Sequence, residues 1–246
     1  SATRREPLVA ARACEVRAID IERVDAGAAQ VGVLEVDAAE TSRREVGAPQ
    51  VSAAEIGRTQ VGVDESGRPQ VNVLREFVAL GGTVVDSSPM YGEAERVVGD
   101  LSAELGVRNQ LFFATKVWTS GQRAGVQQME QSFKLMRAGV RMDLMQIHNL
   151  LDLDVHTRTL RDWKASGKIR YMGITHYHEG AYEEVERALR AGGIEFVQIN
   201  YSLAERSAER RLFPLAAERR VAVIVNRPFA EGALFRRVAG KPLPSW

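Results

Sequence analysis

Short apolar runs alternate with amphipathic runs from Val71 to the end of the chain. Six of the runs are almost continuously apolar, and each is preceded by a run whose apolar positions have helical spacing. Strands that are apolar on both faces are typical of parallel sheets covered by helices. We predict strands at residues 83–88, 111–118, 143–149, 169–177, 195–202 and 221–229. We predict helices at residues 71–82, 92–105, 124–139, 154–168, 180–193 and 205–220.

This order of elements predicts an α/β fold. None of the predicted strands is followed by the spacing G-x-G-x-x-G, which marks the dinucleotide-binding turn of many doubly wound sheets. A βα barrel is therefore the better prediction. We expect residues 71–246 to form part of a (β/α)8 TIM-type barrel, with about six of its eight βα units recognisable.

Residues 1–70 have a different pattern. Valine or isoleucine recurs every five residues through much of the segment, as in QVGVL, EVDAA and EVGAP. Neither a helix nor a strand keeps a period of five on one face. A solenoid with five residues per side could do so, and the segment weakly resembles a pentapeptide-repeat β-helix. The alternative is low-complexity sequence that is disordered or non-native. In either case we expect no standard first barrel strand from this segment.

Composition and charge narrow the class of protein. The chain has 246 residues, of which 45% are hydrophobic, so a sizeable core is possible. Its formal net charge of +1 gives no argument for a nucleic-acid or membrane partner. Cys14 is the only cysteine, which excludes a disulfide within the chain and fits a reducing compartment. We therefore expect a cytoplasmic protein.

Polar residues follow each predicted strand. In a βα barrel, functional groups gather at the carboxyl ends of the strands. The polar residues at these ends are Asp86 with Tyr91, Lys116, His148, Thr175 with His176, Gln198 with Asn200, and Asn226 with Arg227. Any one of them could be an ordinary polar strand end. An aspartate, a tyrosine, a lysine and a histidine on three successive strands form a more restrictive pattern.

These four side chains suit proton transfer to an oxygen. A tyrosine has an ordinary pKa near 10, and a nearby ammonium group such as that of Lys116 lowers it. Asp86 would hold Lys116, and His148 could donate a hydrogen bond to a substrate oxygen. Such an acid suits an oxygen that acquires negative charge when hydride reaches a carbonyl carbon. The alternative is that Asp86 only caps a helix and Tyr91 only packs.

Three segments resemble motifs of the aldo-keto reductases. They are Asp-Ser-Ser-Pro-Met-Tyr-Gly at 86–92, Ala-Thr-Lys-Val-Trp at 114–118 and Leu-Met-Gln-Ile-His-Asn at 144–149. The resemblance extends from about Leu74 to Phe235. It implies a βα barrel that binds NADPH and reduces an aldehyde or ketone to an alcohol. Within that family pattern, Tyr91 is the proton donor, Lys116 and Asp86 tune it, and His148 orients a small carbonyl substrate.

The resemblance also implies the cofactor and substrate contacts. Trp118 matches a substrate-pocket aromatic residue, and Gln198 matches the contact to the nicotinamide carboxamide. The residues Thr175 and His176 replace the usual Ser-Asn pair, so that contact with the nicotinamide is altered. Asn226 replaces the aromatic residue that usually stacks on the nicotinamide. Arg227 follows it and could reach a phosphate.

Two parts of the family pattern are not recognisable. The usual first strand is missing before Val71, and the chain stops at Trp246, before the eighth strand and the basic segment that binds the 2′-phosphate. We therefore expect an incomplete cofactor site and little activity from these 246 residues. The alternatives to an enzyme are a non-catalytic nucleotide-binding or regulatory relative, or an inactive fragment. The carbonyl substrate and the oligomeric state stay open.

The remaining histidines give no metal site. His176 and His178 share one face of a strand, but no cysteine or carboxylate cluster accompanies them. We predict no metal. His156 lies near the start of a predicted helix, and we expect it to be solvated.

Overall fold

The computed structural model describes residues 69–242, together with three short strands within residues 17–35. Two of these strands, β1 (Arg17–Ala18) and β2 (Ala29–Gln30), pair antiparallel with each other. The other strands form a single parallel sheet in which each strand lies beside the next one along the chain. Its members are β3 (Val33–Glu35), β4 (Val84–Asp86), β5 (Phe112–Val117), β6 (Met142–His148), β7 (Ile169–Thr175), β8 (Phe196–Asn200) and β9 (Ala222–Asn226).

Among the described residues, one helix precedes β4, and a helix follows each strand from β4 onward. The helices are α1 (Pro69–Ala79), α2 (Ala94–Glu104), α3 (Gln122–Leu135), α4 (Leu153–Ala165), α5 (Tyr182–Ala191), α6 (Leu212–Arg219) and α7 (Ala233–Val238). The strand order and the intervening helices confirm the predicted partial (β/α)8 barrel. Among the described helices, none is both long enough and apolar enough to cross a membrane.

The sheet contains one more strand than the sequence predicts. Val33–Glu35 pairs in parallel with Val84–Asp86, at the position of a strand preceding β4. The expectation that the repeat supplies no such strand is therefore wrong. A three-residue strand is held by its backbone hydrogen bonds to the neighbouring edge, and these do not require a two-residue side-chain period. The predicted division at residue 70 stays a prediction. Apart from β1, β2, β3 and the start of α1, residues 1–70 lie outside the described residues.

Two further predictions need correction. The predicted helix at 205–220 is split into a single 3-10 turn at Ser207–Glu209 and helix α6. The Ser202 hydroxyl accepts the backbone N–H groups of Ala204 and Glu205, which holds the preceding segment in a turn. His156 is fully buried and not solvated, because α4 turns this side chain toward the loop that follows β5.

The inward face of the sheet is apolar along the first part of each strand and polar near the carboxyl ends of the strands. Alternate residues of a strand point to opposite faces of the sheet. In β5, Phe113 and Val117 belong to the large core between sheet and helices, whereas Phe112 and Ala114 belong to a second core on the inward face. Lys116 continues this inward face. The inward residues near the strand ends are buried and polar, namely Asp86, Lys116, Gln146, His148, Thr175, Gln198, Asn200 and Asn226.

Helices α2 and α3 touch through backbone at Gly99. A Cβ atom placed there would lie 2.1 Å from the carbonyl oxygen of Leu135 and 2.7 Å from the carbonyl carbon of Met136. Because both neighbours are backbone atoms, neither can move aside without displacing the end of α3. A side chain at this position is therefore incompatible with the observed packing.

We expect Gly99→Ala to lower the free energy of unfolding by about 1–3 kcal/mol, as overpacked core substitutions do. The sign of the stability change distinguishes the two cases, because a glycine-to-alanine change in an exposed helix interior raises the free energy of unfolding by about 1 kcal/mol. Urea unfolding of the two proteins measures the difference. A gain in stability would show that the two helices do not meet at this residue.

Candidate active site

A buried ion pair lies at the ends of β4 and β5. The Lys116 ammonium is 2.5 Å from Oδ2 of Asp86, and it also donates to the carbonyl oxygen of Ser87 at 2.8 Å. Lys116 is 1% exposed and Asp86 is completely buried. Because neither group contacts solvent, the carboxylate and the carbonyl fix the position of the ammonium.

Two glutamines complete the surroundings of Asp86. Gln146 donates to Oδ1 of Asp86 at 3.0 Å, and Gln198 donates to Oδ2 at 2.9 Å. The side-chain carbonyl of Gln198 accepts the hydroxyl of Thr175 at 3.0 Å. Both carboxylate oxygens are therefore hydrogen-bonded, as a buried charge requires.

Gln146 is a site residue that the sequence interpretation missed. It lies in an apolar strand, and its side chain is fully buried. The signal that could have found it is its spacing, because it precedes His148 by two residues and so shares the inward face of β6.

Tyr91 lies in the turn between β4 and α2. Its N–H donates to the carbonyl of Ser88 at 2.9 Å, and its own carbonyl accepts the N–H of Ala94 at 3.1 Å. The Lys116 ammonium is 5.0 Å from the centre of the Tyr91 ring. The half-buried phenol is therefore held against the buried cation.

His148 faces the edge of the Tyr91 ring at the end of β6. The two ring centres are 6.3 Å apart, and the planes are nearly perpendicular at 87°. The Ser88 hydroxyl lies 3.1 Å from Nδ1 of His148. With this hydroxyl as donor, the imidazole carries its proton on Nε2. Burial, followed by the charges of Lys116 and His176, lowers the pKa of His148 to about 3, so the ring is neutral near pH 7.

Trp118 borders the same region. Its ring centre is 6.1 Å from that of His148, and the residue is 41% exposed. The structure therefore brings together Asp86, Tyr91, Lys116 and His148, with Trp118 at their outer side.

The predicted cofactor residues form a second group on β7, β8 and β9. Thr175 and Gln198 are bonded to each other and belong to the Asp86 network. The side-chain N–H of Asn226 donates to the carbonyl of His176 at 3.0 Å, which ties the end of β9 to that of β7. Burial and then the charge of His178 lower the pKa of His176 to about 4.

Arg227, the last of the predicted cofactor residues, contacts Glu231 and Tyr177 and not the Asp86 network. It forms an ion pair with Glu231 at 2.9 Å, and its guanidinium lies 4.6 Å from the centre of the Tyr177 ring. Its φ of 54° is in the left-handed region. A phosphate contact by Arg227 stays a prediction, and it would compete with Glu231. In the part of the chain that the structure describes, no group of three or more His, Cys, Asp or Glu residues could hold a metal ion.

We expect Lys116→Met to lower the free energy of unfolding by about 3–5 kcal/mol, because it leaves a buried carboxylate without its cation. The double variant Asp86→Asn/Lys116→Met should recover part of this loss, since the uncompensated charge is gone. Urea unfolding of the three proteins tests both statements. A double variant that is less stable than Lys116→Met would contradict this account of the pair.

We expect stability to fall as the pH falls below about 6.5, the ordinary pKa of a histidine. The unfolded chain takes up a proton near that pH, whereas folded His148 does so only near pH 3. His148→Gln should therefore weaken the loss of stability between pH 6.5 and 4, a range in which His176 also contributes. Urea unfolding at several pH values measures the slope, and an unchanged slope would contradict a neutral buried His148.

Comparison with known proteins agrees with the fold. The chain is 26% identical to the aldo-keto reductase YhdN of Bacillus subtilis, over 67% of this chain and 53% of that protein. It is 27% identical to the methylglyoxal reductase YeaE of Escherichia coli, over 68% of this chain and 60% of that protein.

Both alignments show that the chain spans only 53–60% of the length of these relatives. An aldo/keto reductase from Klebsiella pneumoniae, solved in complex with NADP and acetate, matches with a TM-score of 0.60 and 26% identity. That match covers 72% of this chain and 64% of the Klebsiella chain. The model of the aldo/keto reductase family matches residues 57–244. The chain belongs to the aldo/keto reductase family.

Proposed function

We propose that the protein reduces an aldehyde or ketone to an alcohol with hydride from NADPH, and that Tyr91 donates the proton. The observation that carries the proposal is the buried Lys116 ammonium, fixed by Asp86 and 5.0 Å from the centre of the Tyr91 ring. The names of two relatives support it: one is a methylglyoxal reductase, and another was solved with NADP. The substrate is a small carbonyl compound.

NADPH supplies the hydride when it is bound. We assign its nicotinamide end to Thr175, His176, Gln198 and Asn226, and a phosphate to Arg227. One observation supports this fit. Oδ1 of Asn226 is buried and has no hydrogen-bond partner among the described residues, so it could accept an N–H group such as that of a carboxamide.

The proton step uses Tyr91 and His148 together. A carbonyl oxygen between them would accept the Nε2–H of the neutral His148, which orients the substrate. As hydride reaches the carbonyl carbon, the oxygen becomes negative and takes the proton of the Tyr91 hydroxyl. The ammonium of Lys116 stabilises the resulting phenolate, and Asp86 keeps that ammonium in place. A donor and a cation positioned before the reaction stabilise developing charge strongly in a site that excludes water.

The role of Ser88 follows from this scheme. Its hydroxyl bonds Nδ1 of His148 and so keeps the ring proton on Nε2, where the substrate oxygen would lie. Ser88 is therefore a positioning residue. Its backbone also accepts the N–H of Tyr91, so one residue supports both groups that would contact the substrate. The cytoplasmic location expected from the sequence stays a prediction.

We expect Tyr91→Phe to lower kcat by about 10²- to 10⁴-fold relative to the wild-type value, however low that value is, because this is the usual contribution of a general acid. NADPH affinity should change less than about twofold, because the hydroxyl acts on the substrate oxygen. Stopped-flow reduction of a carbonyl and fluorescence titration with NADPH measure the two quantities. Tyr171→Phe is the matched control. Tyr171 lies near the start of β7, whereas the site is at the carboxyl ends of the strands, and its ring packs against those of Phe112 and Phe196.

Full turnover by Tyr91→Phe would exclude Tyr91 as the proton donor. A wild-type protein that binds NADPH but reduces no carbonyl would favour the non-catalytic nucleotide-binding alternative. A protein that does not bind NADPH would match the inactive fragment.

A further inference from the structure

The loop after β5 is held by side chains from two helices. We propose that Gln128 and His156 are positioning residues that fix Trp118, and that they thereby set which carbonyl compounds the site accepts. We name residues 118–121 the Trp118 loop. The inference rests on the proposed function and adds residues that lie outside the proton-transfer group.

Gln128 pairs with the backbone of Trp118 on both sides. The N–H of Trp118 donates to Oε1 of Gln128 at 2.6 Å, and Nε2 of Gln128 donates to the carbonyl of Trp118 at 3.2 Å. These two groups belong to the peptide planes before and after the Trp118 Cα. One amide side chain from α3 therefore fixes both planes, and with them the direction of the Cα–Cβ bond of Trp118.

His156 holds the next residue of the loop. It is fully buried on α4, and its Nε2–H donates to the carbonyl of Thr119 at 2.7 Å. Since a carbonyl can only accept, the ring proton is on Nε2. Nδ1 is buried and has no partner among residues 69–242, so a single hydrogen bond accounts for the placement of this ring.

Asp152 binds the end of the Trp118 loop and does not cap its own helix. It occupies the N-cap position of α4, yet its side chain makes no hydrogen bond to that helix. Its Oδ2 instead accepts the N–H of Gly121 at 2.7 Å. An N-cap aspartate normally bonds its own helix, which stabilises the helix by roughly 1 kcal/mol. The loop therefore receives a contact that the helix would otherwise use.

Gly125 makes room for the imidazole. A Cβ at this position of α3 would lie 2.4 Å from Cε1 and 2.8 Å from Nδ1 of His156. Glycine within a helix is unfavourable by about 1 kcal/mol relative to alanine. Its presence here is explained by the close approach of the ring.

The loop matters for substrate choice because of where Trp118 lies. Its ring centre is 6.1 Å from that of His148, which would hold the carbonyl oxygen, so the indole faces the substituents of the carbonyl carbon. The residues assigned to NADPH are on β7, β8 and β9, away from this loop. Displacing Trp118 should therefore change the fit of the substrate and leave cofactor binding intact.

The experiment compares Gln128→Leu with Gln128→Glu and with the control Gln127→Leu. Gln127 is an exposed residue of the same type on the same helix. The loss of two hydrogen bonds, at about fivefold each, predicts up to about a 25-fold rise in KM for benzaldehyde in Gln128→Leu. Glutamate keeps the acceptor for the Trp118 N–H, so Gln128→Glu should show a smaller rise.

The change in substrate preference is the deciding measurement. The ratio of kcat/KM for benzaldehyde to that for propanal should change at least about fivefold in Gln128→Leu, which corresponds to one lost hydrogen bond. Neither kcat nor NADPH affinity should change more than about twofold, and Gln127→Leu should match the wild type in every quantity. Gly125→Ala, which displaces His156 and touches no substrate-facing residue, should shift the ratio in the same direction.

Hydrogen exchange of the Trp118 and Gly121 amides provides a measurement that does not depend on turnover. Exchange at Trp118 should be at least about tenfold faster in Gln128→Leu, since its acceptor is gone. Faster exchange with an unchanged substrate ratio would show that these contacts serve stability alone and would overturn the inference. Unchanged exchange would overturn it as well. A wild-type protein that reduces neither aldehyde would refute the proposed function, and with it this inference.

Discussion

The rest of the site depends on the buried ion pair between Lys116 and Asp86, because two charges removed from water require compensating contacts from the neighbouring strands. The Lys116 ammonium lies 2.5 Å from Asp86, and such a buried pair is tolerated only when further hydrogen bonds compensate the lost hydration. Gln146, Gln198 and the Ser87 carbonyl make those contacts. Strands β4, β5, β6 and β8 must therefore stay in register for the charge to be compensated, and the same register brings the phenol and the imidazole to the cation.

Much of the fold was readable because the strands are buried on both faces. Continuous apolar runs separated by helical runs predicted the parallel sheet, and six of its strands lie where the pattern put them. Asp86, Lys116 and His148 were readable for a related reason. Each is a polar residue at or next to the end of a largely apolar strand, and the carboxyl ends of parallel strands meet at one edge of the sheet. Tyr91 could be predicted as a site residue because only a short turn separates Asp86 from the following helix, which keeps Tyr91 near the strand end.

The features that escaped prediction depend on contacts between distant segments. The strand Val33–Glu35 is defined by its pairing with β4, and a five-residue repeat contains no sign of that pairing. The burial of His156 follows from an acceptor 37 residues away in the chain, in the Trp118 loop. Gln146 was hidden by the apolar residues around it. Its importance appears only when the register brings its amide to the carboxylate on β4.

Under the proposed function, the enclosure of Lys116 has a chemical consequence, because the site would meet aldehydes. A neutral primary amine attacks an aldehyde and forms an imine, which would remove the cation beside Tyr91. Lys116 is 1% exposed, and its nitrogen donates to Asp86 and to the Ser87 carbonyl. An ammonium nitrogen that donates to a carboxylate has no lone pair with which to attack. The carboxylate thus protects the lysine from condensation with the very compounds that the site would reduce.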